Sequence, residues 1–483
     1  MPDAGSDGQD GGRRGPTVLR NAGWLVGDRV VRLLLAVVGS AVLARVLGPA
    51  EFGVLQFALS AALLAQEASS LGLRGVLVRR LALEPQASGG SLRAAVLLRL
   101  ASALVAAAAV LGLGLSARPD ETDRSTVLLV LVLVSVALVA RSGEVLFTWF
   151  EAQGRLRANS LTTSVSGALA TLLRLGIAVV VPQPLTWIAA TYVLEWGVAS
   201  LVPALLLRRY PAAPRSRDPL PLARRCRLLL AESWPVALAG VATAVYLKVG
   251  QIILGATRSA GEVGQFAAAA QITEAATFVP MAVATAAFPA MLRLHGRDRD
   301  GYEDLTRRLL VLTTGLGWLY ALAVAVVAPF AIPLLFGSAF EPSVLLLQLQ
   351  VLAAPFIYQR AVLSRHLIVD GLLRFSLFTH GAGAVVAVAV DLALVPRYGA
   401  VGAVVGYVLA TSVASTWVLL LHPRTRSFGG TMVRALGTSL LPPVLLASAR
   451  SIRGLGASGA VDPADAQGDV PPGASDGRTA GVP

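Results

Sequence analysis

Charge is scarce in this sequence. Asp, Glu, Lys and Arg make up 14% of 483 residues, where a soluble chain carries roughly a quarter. Too little polar surface remains to coat a water-soluble globule. Lysine is nearly absent: Lys248 is the single one among 41 basic residues. Cysteine is limited to Cys226, which excludes a disulfide within the chain and a thiolate metal site. The four histidines, His295, His366, His380 and His422, do not cluster along the chain. No metal, cofactor or catalytic constellation is therefore expected. The loops between apolar runs are short, which leaves no room for the large outward loop of a glycan polymerase or ligase.

What is present is apolar. Hydrophobic residues make up 55% of the chain, and the mean hydropathy is +0.69. A membrane span needs about 20 mostly apolar residues. Runs of that kind fall at 20–44, 51–73, 92–115, 125–149, 158–181, 186–207, 228–254, 262–290, 308–334, 342–368, 374–396 and 399–422. A thirteenth candidate, 431–447, is shorter and carries Pro442 and Pro443. The first run has no small-residue cleavage motif after it and reads as a span, not a signal peptide.

The net charge of +13 would suit nucleic acid, but the arginines sit in short loops, as the positive-inside rule expects. Alternate loops carry 27 basic residues, among them Arg74, Arg155, Arg208, Arg225, Arg293, Arg360 and Arg424, against five in the intervening loops. This places the N-terminus and the basic linker 208–227 in the cytoplasm and excludes a nucleic-acid partner. Residues 1–17 and the end of the 423–483 segment, from about 450, are rich in Gly, Asp, Pro and Ala and read as disordered tails.

The chain also repeats. "GPAEFGVLQFA" aligns with "RSAGEVGQFAAA", pairing Glu51 and Gly53 with Glu262 and Gly264. "EAQGRLR" aligns with "IVDGLLR", pairing Gly154 with Gly371, and Tyr192 pairs with Tyr407. The expected architecture is an all-α polytopic membrane protein of about twelve transmembrane helices. They form two six-helix lobes, 18–207 and 228–422, related by an axis along the membrane normal.

The segment "NAGWLVGDRVVRLLLAVVGSAVLARVLGPAEFG" resembles the opening of oligosaccharide flippases of the multidrug/oligosaccharidyl-lipid/polysaccharide exporter superfamily. "YLKVGQIILG" and "VGQFAAAAQITEAATFVPMAVATAAFPAM" resemble that family's seventh and eighth helices, and "LVPRYGAVGAVVGYVLA" its twelfth. The resemblance covers roughly residues 18–422. It implies transport of an undecaprenyl-diphosphate-linked glycan across the bacterial plasma membrane for surface polysaccharide biosynthesis, without catalysis. The partners it implies are the lipid-linked glycan, membrane lipid and other polysaccharide-assembly proteins. Many members carry an acid where this chain has Gly250.

Ionisable residues inside spans are costly and mark sites by default. Arg32, Arg141, Arg174, Lys248 and Gln251 are the candidates for substrate binding, since arginine's planar fork suits a diphosphate. Asp28, Glu67, Glu144, Glu195 and Glu274 are the candidates for ion coupling. Arg32, Arg174 and Lys248 are expected to line a cavity that is positive overall, with Asp28 and Glu274 facing it. Pairing of these charges with one another is the plainer reading of each. Asp28 lies four residues from Arg32, and Arg141 three from Glu144. Arg99, near the cytoplasmic end of its run, is expected to snorkel, and Asp391 lies in the outer part of its own. Three further readings stay open: an organic-cation exporter of the same superfamily, a lipid II flippase, and a non-transporting scaffold of a glycan-assembly complex.

Overall fold

The computed structural model describes residues 15–84, 88–114, 123–209, 220–441, 443–444 and 448. The side chains of 15–36, 156–160 and 373–374 lie outside that description. So do the two expected tails, apart from residues 15–17, and most of the basic linker.

Among the described residues every regular element is helical. Helix α1 (Gly15–Ser70) is two helices joined without a loop, because Gly48 takes a non-helical conformation (φ 70°, ψ 173°) just before Pro49. It is followed by α2 (Leu73–Leu83), α3 (Ser88–Gly114) and α4 (Arg124–Ala140). A 3-10 turn, Arg141–Leu146, leads into α5 (Phe147–Ala152), and α6 (Leu156–Val180) and α7 (Leu185–Arg209) close the first half. The second half runs through α8 (Leu222–Thr257), α9 (Ala260–Ala275), α10 (Phe278–His295), α11 (Arg299–Phe336) and α12 (Ser343–Gln350). It ends with α13 (Ala354–Val369), α14 (Leu373–Tyr398), α15 (Ala400–Ser415) and α16 (Arg426–Thr438).

Ten segments are long and apolar enough to cross a membrane. The difference from the twelve expected runs has two sources. Val37–Leu83 joins the first two runs across the Gly48 bend. Ala400–Ser415 has 16 residues, about 24 Å of helix against a hydrocarbon core of about 30 Å. The first half of the candidate thirteenth span, 431–438, belongs to a 13-residue helix, α16, and residues 442 and 445–447 of the candidate lie outside the described residues. Helix α16 packs against the bundle, where Trp318 Nε1 donates to the Leu436 carbonyl at 3.2 Å. The outer surface is apolar: Val180, Val179 and Phe330 are 78%, 77% and 75% exposed. Lipid tails solvate such a surface, and water does not.

The basic linker is shorter than expected. Helix α7 continues to Arg209 and α8 begins at Leu222. Arg225, read as a loop residue, is buried and donates to Ser91 Oγ at 2.7 Å.

The internal repeat has a structural counterpart. Gly154 and Gly371 both adopt φ 69°. The amides of Gly154 and Arg155 turn back to the carbonyls of Glu151 and Phe150 (3.0 and 2.8 Å). Those of Gly371 and Leu372 turn back to Ile368 and Leu367 (3.2 and 2.9 Å). A left-handed residue closes each helix, and only glycine takes that conformation without strain.

Gly53 and Gly264, also equivalent in the repeat, meet each other. A Cβ on Gly53 would lie 1.8 Å from the Ala260 carbonyl oxygen, and one on Gly264 would lie 2.1 Å from that of Pro49. Helices α1 and α9 thus touch backbone to backbone and form a seam between the two halves. Arg45, three residues before the Gly48 bend, donates from Nη2 to the Pro333 carbonyl (3.1 Å) at the end of α11. The largest buried cluster runs through both halves, from Phe52 and Val130 to Phe266, Phe336 and Val404.

Candidate functional site

Two adjoining cavities lie among these helices. The first, about 490 Å³, is bounded by α1, α6, α7, α8 and α9. Its lining mixes apolar side chains, Leu43, Leu55, Leu59 and Leu63 among them, with the polar groups of Gln56, Ser60, Thr163, Thr171, Gln251 and Gln271, the rings of Tyr192 and Trp196, and the charges of Arg174, Glu195, Lys248 and Glu274. The second, about 710 Å³, lies between α8, α9, α10, α13 and α15. Thr243, Tyr246, Arg360, Ser364, Tyr407 and Thr411 line it, with apolar side chains between them. Lys248, Gln271 and Glu274 belong to both walls.

Arg174 is held on three sides. Its Nη2 pairs with Glu195 Oε2, its Nε donates to Thr191 Oγ1 at 2.9 Å, and its guanidinium lies 3.7 Å from the centre of the Tyr192 ring. Lys248 Nζ pairs with Glu274 Oε1 at 2.5 Å. Gln251 is buried and accepts a hydrogen bond from Ser60 Oγ. The structure therefore brings Arg174, Glu195, Lys248, Gln251 and Glu274 to one cavity, and pairs each of the two cations with a carboxylate.

The other candidates lie elsewhere. Arg141 Nε pairs with Glu144 Oε2 at 2.6 Å, its Nη1 donates to Gln66 Oε1 at 2.9 Å, and its guanidinium lies 5.1 Å from the centre of the Trp196 ring. Trp196 separates this pair from the first cavity. Glu67 lines neither cavity, and its Oε2 lies 3.2 Å from where a Cβ of Gly240 would stand. Arg99 does not snorkel: it is buried, with Nη1 3.4 Å from Ser69 Oγ. Asp28 and Arg32 lie on α1, with side chains outside the described residues.

Three features were not legible in the sequence: the place of Arg360, the surroundings of Asp391 and the meeting of two histidines. Arg360, assigned to a cytoplasmic loop, lies inside α13 and lines the second cavity. Asp391 is buried, and its Oδ1 has no hydrogen-bond partner. Two glycines make room for it: a Cβ on Gly406 would stand 1.8 Å from Oδ1, and one on Gly250 would stand 3.2 Å from Oδ2. The Asp391 carboxyl thus lies against the bare backbone of Gly250 and Gly406.

Two of the four histidines meet in space. His295 Nδ1 and His366 Nε2 lie 3.4 and 3.6 Å from the two oxygens of Asp370. Tyr302 Oη lies 2.6 Å from His366 Nδ1, and Phe428 stacks on the His366 ring with centroids 3.8 Å apart. Packing of α10, α11, α13 and α16 joins residues that are distant in the chain. No group of three or more His, Cys, Asp or Glu suited to a metal ion occurs among the described residues.

No curated protein sequence matches this chain. Several solved structures share its fold. The lipid II flippase MurJ, in an inward closed conformation, superposes with a TM-score of 0.64 at 11% identity, covering 91% of this chain and 93% of that one. An inward-facing multidrug resistance MATE transporter of the MOP superfamily gives 0.61 at 15% identity, covering 84% and 96%. The eukaryotic MATE transporter AtDTX14 gives 0.56 at 13%, covering 85% and 98%. These neighbours are transporters and flippases, not enzymes, and at these identities they speak for the fold. The family described as "Polysaccharide biosynthesis protein" matches residues 18–295. That is more than half of the chain, and this multi-pass membrane protein belongs to the polysaccharide biosynthesis protein family.

Proposed function

We propose that the protein translocates a polyprenyl-diphosphate-linked oligosaccharide across the bacterial inner membrane by alternating access, with its N-terminus in the cytoplasm. The observation that carries this reading is a polar, charge-lined interior inside an apolar exterior. A lipid-linked glycan has the same division: its head is polar and anionic, and its tail is apolar. The head enters the cavities while the polyprenyl tail remains in lipid between helices. Gln56, Ser60, Thr163, Thr171 and Gln251 offer hydrogen bonds to sugar hydroxyls, and Tyr192 and Trp196 offer flat faces to sugar rings. An organic cation fits less well, since Glu195 and Glu274 are already neutralised by Arg174 and Lys248.

Arg174 and Lys248 serve substrate binding in this reading. Glu274 serves coupling: as Lys248 turns toward a phosphate, the freed carboxylate takes up a proton. Arg141, Glu144 and Glu67 lie off the cavities and act by ordering the bundle. Motion is two-state, with the Gly53–Gly264 seam joined in one state and parted in the other.

The test is reconstitution. Purified protein in liposomes is given a fluorescent undecaprenyl-diphosphate trisaccharide in the outer leaflet, and a glycosidase added outside later reports what remains accessible. Protection of about half the label at a rate well above protein-free liposomes is expected. Protection no faster than the protein-free control would defeat the proposal.

A further inference from the structure

The charges along the two cavities do not cancel. Arg174, Lys248 and Arg360 face Glu195 and Glu274, leaving one positive charge in excess among the described lining residues. The excess is Arg360, because the other two cations are paired with the two acids.

Among the described residues, Arg360 is held entirely by neutral groups. Its Nη1 donates to Thr379 Oγ1 and to the Ala414 carbonyl, both at 2.9 Å. Its Nη2 donates to His380 Nε2. The direction of that last bond follows from the next residue along. Thr243 Oγ1 gives its own hydrogen to the Ala239 carbonyl at 2.7 Å, so it accepts from His380 Nδ1 at 2.9 Å. The histidine hydrogen is therefore on Nδ1, and Nε2 is free to accept from the guanidinium. Tyr246 stacks on the His380 ring at 5.9 Å and 14° and fixes its plane.

This arrangement uses three of the five guanidinium N–H groups. Nε–H and one Nη2–H find no protein acceptor among the described residues. A cation enclosed by helices, without a counter-ion, is costly unless an anion visits it. The site is pre-organised for such a visitor, because Thr379, Ala414 and His380 hold the guanidinium fixed without neutralising it.

We propose that Arg360 is the diphosphate anchor, and that the substrate lies across both cavities with its phosphates in the second and its sugars in the first. This rests on the reading of the protein as a carrier of a lipid-linked glycan. The two cavities differ in the way that orientation requires. The first is locally neutral and rich in hydroxyl, amide and aromatic groups, which suits sugars. The second is more apolar and keeps one uncompensated cation, which suits a phosphate joined to a prenyl chain. Lys248, on the shared wall, then reaches the phosphate nearer the sugar.

The full chain in nanodiscs tests this, with undecaprenyl diphosphate and undecaprenol as probes and binding read by native mass spectrometry. Wild type is expected to prefer the diphosphate by about tenfold or more, the strength of a charge-assisted pair. Arg360→Gln is expected to lose that preference while its affinity for undecaprenol stays the same. Arg365→Gln removes an equal charge one turn further along α13, outside both cavities, and is expected to keep it. Preference retained in Arg360→Gln would make Arg360 only a strut between helices and overturn the inference alone. A wild type without preference would overturn the inference together with the transport reading. Should Arg360→Gln fail to fold, Arg360→Lys keeps the charge and loses the planar fork. Its diphosphate preference should fall severalfold, and an unchanged preference would again overturn the proposal.

Discussion

The two cavities hold their arginines by opposite means. Arg174 in the first half is neutralised by Glu195 and covered by the Tyr192 ring. Arg360 in the second half is held by Thr379, a carbonyl and a histidine, none of which cancels its charge. Both solutions fix a guanidinium away from water. The first yields a neutral polar wall and the second a fixed positive charge. Intramembrane cations therefore cannot be weighed by counting them: the charge of the partner decides whether each is available to a ligand.

Four substitutions break or sharpen that contrast. The largest effect on transport is expected at the seam that joins both halves. In Gly264→Val the side chain meets the Pro49 carbonyl, whose oxygen lies 2.1 Å from the Cβ position. Overpacking of this kind disfavours the joined state by about 2 kcal/mol, roughly thirtyfold in population. Transport in liposomes should fall accordingly, and an unaltered rate would show that the seam does not need to close. Next, Thr379→Asp would give Arg360 a carboxylate like the one Arg174 has. Diphosphate binding should fall about tenfold, since the anion then competes with a resident partner. Undiminished binding would erase the distinction between the cavities.

The converse change, Glu195→Gln, strips Arg174 of its counter-charge. Stability should drop by about 2–3 kcal/mol, because the pair is largely enclosed, with side chains 9% and 21% exposed. Melting in detergent would report it, and Arg174→Gln added to the same chain should recover part of the loss. The smallest stability effect is expected for Glu274→Gln. That carboxylate is 45% exposed, and pairs of this kind are worth less than about 1 kcal/mol. If Glu274 carries the coupling proton, the variant should lose the pH dependence of transport while melting near the wild-type temperature.

Much of this architecture was legible in the sequence, and what was missed has identifiable causes. The repeat pairs Gly154 with Gly371 and Gly53 with Gly264 could be read from short motifs, because a left-handed turn and a backbone contact each admit almost no other residue. The Arg141–Glu144 pair could be read from its spacing along one helix. The Arg174–Glu195 and Lys248–Glu274 pairs could not, since each joins two helices and no single-helix period encodes which helices touch. Arg360 reads as a loop residue because basic residues ordinarily mark the ends of spans. The span that contains it, Ser343–Val369, has a mean hydropathy of 1.2 and is among the least apolar of the ten. Its arginine is met by polar groups on α14 and α15, and nothing in its own run announces that. The histidines around Asp370 escaped for the same reason: 71 residues separate His295 from His366.

The glycine seam also bears on how motion starts. Where two backbones touch with no side chain between them, attraction is short-ranged, and a gap of an ångström forfeits much of it. Long side chains would stretch and follow a parting surface, so the force would fade gradually. Bare backbones at Gly53 and Gly264 have nothing to follow with. The contact behaves as a brittle latch: it resists small fluctuations almost fully, then releases at once. In the proposed two-state motion, a carrier built this way has little reason to linger half open, and the abruptness of a single junction works against leakage of ions beside the cargo.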